Sequence, residues 1–138
     1  GEPVRELSQV ASGGELSRMM LALKTHLADK DEIGTLIFDE IDTGISGRTA
    51  WKVSEKMGIL AKGHQLICIT HLPQIAAMAD THFVIEKQVE DNRSITRIRE
   101  LGQEESVEEL ARMLGGDVIT ESAIKNAQEM KELAGKTK

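Results

Sequence analysis

The stretch Thr35-Leu36-Ile37-Phe38-Asp39-Glu40-Ile41-Asp42 decides how the chain reads. An apolar run that starts after Gly34 and stops at two carboxylates is the pattern of a short strand buried on both faces of a parallel sheet. The acids Asp39, Glu40 and Asp42 then fall just past its carboxyl end, where open α/β sheets bind ligands. Successive side chains point to opposite faces of a strand, so Asp39 and Glu40 diverge. One of them can serve the shell of a Mg²⁺ while the other orients a water, a division of labour that suits phosphoryl transfer. A plainer reading also fits, in which the three carboxylates form a solvated turn and cap the next helix.

Outward from this strand, helices and strands alternate. Upstream, Leu16, Met19, Met20, Leu23 and Leu27 recur at helical spacing and predict a helix of about four turns with one apolar face, ending near Asp29-Lys30-Asp31. Downstream, a loop from Ile41 to Ser46 leads to a helix with Ser46 as N-cap and Ala50, Val53, Met57 and Leu60 turned inward, stopping before Gly63. Gln65 to Thr70 reads as a second buried strand. Pro73 opens a short helix ending near Asp80, and His82 to Glu86 is a third strand. The polar turn Glu90-Asp91-Asn92-Arg93 returns the chain as an antiparallel edge strand, Ser94 to Arg99. Two helices over about 104–134 close the order, one with Val107, Leu110, Ala111 and Leu114 inward and ended by Gly115-Gly116, the other with Ala123, Ala127, Met130 and Ala134 inward. The expected class is α/β, a mostly parallel sheet flanked by helices in one domain.

Composition narrows the function. The chain has 138 residues, 17 basic against 23 acidic side chains and a net charge of −6, so it lacks the basic surface that dominates nucleic-acid affinity. With no Tyr, two Phe and one Trp it also lacks stacking platforms for single strands. No apolar run reaches the length of a membrane span, and Gly1-Glu2-Pro3-Val4 has no signal-peptide character, so the cytoplasm is the expected location. The first residues read as the middle of a loop, which points to a piece of a longer protein.

Three further sites carry candidate chemistry. Ser12-Gly13-Gly14-Glu15 forms a capping box, yet two glycines in the first turn each cost about 1 kcal/mol of helix stability relative to Ala. They make sense if something must approach the backbone, and a helix N-terminus is a ready phosphate site. Capping and phosphate contact stand as equal readings. His71, at the end of the second strand, lies near the acidic cluster if the two strands are neighbours, and there it either caps the Pro73 helix or hydrogen-bonds a phosphate oxygen. His26, His64 and His82 show no metal-ligand spacing, and Cys68, in Leu66-Ile67-Cys68-Ile69, is read as buried filler. Gly135-Lys136-Thr137 imitates the end of a P-loop but has Met130 where that pattern needs Gly, and no true P-loop occurs in these residues.

In order along the chain, Leu7-Ser8, Ser12-Gly13-Gly14-Glu15, Leu36-Ile37-Phe38-Asp39-Glu40, Asp42 and His71 resemble the later motifs of an ABC-type ATPase head. Within that class, Phe38 to Gly47, Ile69 to Ala76 and Leu114-Gly115-Gly116 look like the RecN family of bacterial DNA repair proteins, which are SMC-related. The resemblance implies the C-terminal lobe of such a head, without its Walker A lobe and coiled coil. By it, Ser12, Gly13 and Gly14 contact the γ-phosphate of ATP held by a partner head, Asp39 holds Mg²⁺ through water, and Glu40 polarises the attacking water. Asp42 belongs to the D-loop, and His71 senses the γ-phosphate. ATP and Mg²⁺ are the implied cofactors of the complete protein. The implied partners are the missing lobe and coiled coil, a second head, and DNA reached through the full-length protein in the nucleoid. In such heads the Walker A strand lies between the strand ending at His71 and the strand from His82, so the isolated chain is expected to be inactive and to self-associate. Two rival readings remain, a free-standing Mg²⁺-dependent phosphotransfer or phosphatase domain using Asp39, Glu40 and Asp42, and a non-catalytic dimerisation module.

Overall fold

A computed structural model describes residues 11–27, 33–90, 93–116 and 118–137. The elements run α1 (Gly13–Leu27), β1 (Thr35–Phe38), α2 (Gly47–Leu60), β2 (Gln65–Cys68), α3 (Pro73–Ala76), β3 (His82–Glu90), β4 (Arg93–Leu101), α4 (Gln103–Gly115) and α5 (Glu121–Thr137). The expected end of α1 at Asp29-Lys30-Asp31 and the hairpin turn at Asp91-Asn92 lie outside the described residues.

The mixed α/β character is present, but the sheet departs from the expected mostly parallel one. β1 and β2 pair in parallel, with Thr35 opposite Gln65 and Phe38 opposite Cys68. β3 instead pairs only with β4, antiparallel from His82↔Leu101 to Glu90↔Arg93, so the described strands form two separate two-stranded sheets. The hairpin is longer than the periodicity implied, because alternation continues through Lys87, Gln88 and Val89 with polar residues that a short-strand reading discounts. β1 and β2 are also not buried on both faces. Phe38 is buried and Leu36, Leu66 and Cys68 are half-buried beneath the helices, while Ile37 is 68% exposed and Ile67 46%. Helices cover one face alone, and among the described residues nothing covers the other.

Two small cores hold the molecule. Leu21, Phe38, Ile41, Val53, Met57, Leu60 and Ile75 join α1, α2, β1 and α3. Ala76, Ala77, Met78, Leu110, Ala111, Ala127, Met130 and Ala134 join the residues around the end of α3 to α4 and α5, with Trp51 of α2 packed against them. The one-turn helix α3 therefore bridges both cores, Ile75 into one and Ala76 into the next, and this seats the segment carrying His71. Pro73 is at its start as expected, but the helix stops at Ala76 rather than near Asp80. Ser46 occupies the predicted N-cap of α2 with extended backbone, yet its side chain makes no capping bond. α1 holds the expected helix but turns the other way. Its contact with α2 is made by Leu21, and the predicted apolar face is solvent-exposed.

Candidate functional site

The site collects where β1 and β2 end side by side. Parallel pairing brings Phe38 level with Cys68, and Ile69 N–H still donates to Phe38 O at 3.1 Å, so the loop after β1 and the loop after β2 leave the sheet together. Asp39 and Glu40 follow one strand, Thr70 and His71 the other.

Asp42 joins the two loops. Its side chain is buried, and Oδ2 accepts from Thr70 Oγ1 at 2.6 Å and from the His71 backbone N–H at 2.8 Å. His71 Nδ1 lies 3.0 Å from the same oxygen, while the imidazole is 73% exposed. Burial alone would raise the Asp42 pKa, but the hydrogen bonds from Thr70 and His71 and the neighbouring imidazole outweigh it and hold the carboxyl below its ordinary value. Thr70 Oγ1 in turn accepts from Leu72 N–H at 3.0 Å, which sets the turn into α3. Asp42 is thus committed inside its own chain.

Asp39 is exposed and accepts the Glu40 N–H on Oδ1 at 2.9 Å. Glu40 has φ of 57°, the left-handed region that costs a non-glycine residue about 1 kcal/mol or more. This backbone lets the Glu40 carbonyl accept from Thr43 N–H at 3.0 Å and carries the Glu40 side chain back onto the tip of α1.

That tip explains its glycines. Ser12 and Glu15 form the predicted capping box, with Ser12 N–H donating to Glu15 Oε2 at 2.8 Å and Glu15 N–H to Ser12 Oγ at 3.3 Å. A Cβ on Gly13 would overlap the Glu40 carboxylate, and one on Gly14 would sit 2.8 Å from the Glu40 carbonyl oxygen. The group that approaches the backbone in this structure is the chain's own Glu40. Ser17 and Arg18, which no motif flagged, hold the arrangement: Ser17 Oγ donates to Asp39 O at 2.9 Å, and the Arg18 guanidinium donates to Ile41 O at 3.1 Å and Thr43 O at 2.8 Å. Their positions at i+3 and i+4 from Gly14, on the helix face opposite the Leu and Met stripe, were the available signal.

The predicted residues therefore gather in one region: Gly13 and Gly14 against Glu40, with Ser12 capping the same helix tip through Glu15, and Asp42 against His71. Among the described residues no three His, Cys, Asp or Glu side chains converge to hold a metal. Asp39, exposed at the end of β1, offers a carboxylate oxygen outside its bond to Glu40 N–H, a donor that suits Mg²⁺ only when phosphate oxygens and water complete the shell. Cys68 beneath the site has its thiol pushed up to about 12 by burial and by the charges of Asp42 and Asp39, in keeping with an inert filler. His82, passed over in the sequence, sits in a second polar cluster: its Nδ1 is 2.8 Å from Ser106 Oγ, which also accepts from Lys131 Nζ at 2.8 Å.

Fold and site together define a mixed α/β unit with an acidic turn and a histidine at the carboxyl ends of a parallel strand pair. No protein-family model matches the chain. Curated relatives do. DNA repair protein RecN of Bacillus subtilis is 47% identical over 138 residues, all of this chain and 24% of that protein. RecN of Halalkalibacterium halodurans is 51% identical over 97% of the chain, and RecN of Deinococcus radiodurans 47% over 98%. The chain belongs to the RecN family, and it spans about a quarter of the length of the curated relatives it matches. No helix among the described residues is long and apolar enough to cross a membrane.

Proposed function

We propose that the chain is the C-terminal lobe of an ATP-hydrolysing head that acts in DNA repair, with hydrolysis at a composite site shared by two heads. The observation that carries the reading is the Asp39–Glu40 pair at the end of β1 beside the Asp42–His71 contact at the end of β2. The kinship with DNA repair protein RecN supports the repair role. Two strand edges support the incomplete lobe, because the sides of β2 and β3 that do not face β1 and β4 carry no strand among the described residues. A Walker A strand supplied by the remaining length of the polypeptide would occupy that position.

In this reading Asp39 binds Mg²⁺ with water and nucleotide oxygens, and Mg²⁺ supplies charge neutralisation at the phosphates. Glu40 orients the attacking water, and His71, held at Nδ1 by Asp42, turns Nε2 to the phosphate. Ser12, Gly13 and Gly14 offer bare N–H groups to the γ-phosphate of the other head. The Glu40 side chain now lying on that tip has to withdraw for the phosphate to enter. ATP turnover by the full-length polypeptide tests the roles: Glu40→Gln and Ser12→Arg are each expected to lower it at least about a hundredfold, with Glu40→Gln retaining bound ATP. Full turnover in either variant would place the roles on the wrong residues.

A further inference from the structure

The helix α1 presents its large apolar side chains to solvent. Leu16, Met19, Met20, Leu23 and Leu27 are 38–55% exposed, whereas the helix meets α2 through Leu21. At about 100° per residue these five fall on one continuous stripe opposite Leu21. One border of the stripe runs into an open groove of about 560 Å³ between α1 and α2, floored by Leu21, Ala22 and Val53. Its walls carry Arg18, His26, Lys52 and Lys56, and among the described residues no carboxylate lines it. In a chain of net charge −6 this is a local reversal of sign. Arg18 is partly engaged by two carbonyls, whereas Lys52 and Lys56 take no part in the ion pairs of the described residues.

We infer that the α1 stripe and the α1–α2 groove dock an amphipathic helix with an acidic flank, supplied by the part of the same polypeptide that lies outside these 138 residues. Three observations select this occupant. A Leu and Met stripe at helical spacing fits an opposing helix, with knobs entering between Leu16, Met20 and Leu23. The carboxylate-free walls fit acids on that helix's flank, where duplex or single-stranded nucleic acid would find an apolar floor and no aromatic platform. An apolar surface of this extent left open is an association hazard, so its cover is permanent, and relatives four times as long carry the necessary chain in cis. The inference goes beyond the ATPase reading and does not depend on it.

The test is thiol labelling of the full-length polypeptide in a background whose native cysteines, Cys68 among them, are replaced by serine. Single cysteines are placed at Met20, at Lys52 and, as control, at Glu55, all three exposed in this structure. The expected result is maleimide labelling of Met20→Cys and Lys52→Cys roughly tenfold or more slower than of Glu55→Cys, at every protein concentration. Leu16→Glu with Leu23→Glu should restore fast labelling at position 52, and Lys52→Glu with Lys56→Glu should speed labelling at position 20. Equal rates at all three positions would overturn the inference. So would protection lost on dilution, which would mean a second copy, protection that requires added duplex DNA, or a rate at position 20 indifferent to the charge reversal. Glu40→Gln should leave every labelling rate unchanged, so failure here is distinguishable from failure of the ATPase roles.

Discussion

At the scale of single residues, Gly14 shows how a magnitude can change sign. Replacing Gly by Ala within a helix ordinarily stabilises by about 1 kcal/mol. At Gly14 the new Cβ would lie 2.8 Å from a backbone oxygen, 3.0 Å from Thr43 Cβ and 2.9 Å from the Arg18 guanidinium, and overpacking against backbone costs about 1–3 kcal/mol. Gly14→Ala should therefore lower the urea midpoint, while Gly13→Ala meets only the Glu40 side chain, which can swing away, and should cost less. Asp42 supplies a second expectation. Its folded pKa lies below the unfolded value of 3.8, so the carboxylate contributes stability above that value and loses it as pH falls through the folded pKa. The drop in urea midpoint between neutral and strongly acidic pH should be smaller in Asp42→Asn than in the native chain. At neutral pH Asp42→Asn should cost about 1–3 kcal/mol, because Thr70 Oγ1 and the His71 N–H lose a charged acceptor in a buried place.

At the scale of elements, most of the helices and strands were legible and their partners were not. The α2 period, the β1 and β2 runs, the hairpin and the Gly115-Gly116 stop all express local rules, and the structure has them close to where those rules put them. The facing of α1 was not legible, because periodicity marks which side chains seek cover without saying whether the cover lies within these residues. β1 is a strand where the run places it, but its burial on both faces is not met for the same reason: an unbroken apolar run implies two covered faces, and only one is covered here. In the site, the Asp39, Glu40, Asp42 and His71 group was legible from strand-end position, whereas Ser17 and Arg18 act through backbone carbonyls of a distant loop, so their spacing from Gly14 marks the helix face but not the partners. The cluster of His82, Ser106 and Lys131 ties β3 to α4 and α5 in a comparable way. Burial first, and then the Lys131 charge, lower the His82 pKa, with Glu109 opposing, so the neutral ring is the folded form. Its contribution is present above the unfolded value of 6.5 and lost as pH falls through the folded pKa. Ser106→Ala should remove about 1 kcal/mol and speed amide exchange at the His82 end of the hairpin, more so in mildly acidic solution.

At the scale of the whole molecule, apolar surface among the described residues lies open on the α1 stripe, on the Ile37 and Ile67 face of β1 and β2, and on the Phe83, Ile85 and Ile98 face of the hairpin. Light scattering of the 138-residue chain should show concentration-dependent association, reduced by Ile37→Thr with Phe83→Thr, since single-sided sheets with bare edges pair readily. The same openness bears on the site. In one chain the α1 tip meets its own Glu40, whereas a composite ATPase needs the tip of one head over the nucleotide of the other. Subunit mixing separates the two arrangements most directly. Full-length Ser12→Arg and Glu40→Gln proteins, each inactive alone, are mixed and assayed for ATP turnover. A shared two-head site predicts recovery toward about a quarter of native activity, because half the pairs are mixed and each keeps one intact site. Turnover no greater than that of the separate variants would mean that Ser12 and Glu40 serve the same chain, and would contradict the account.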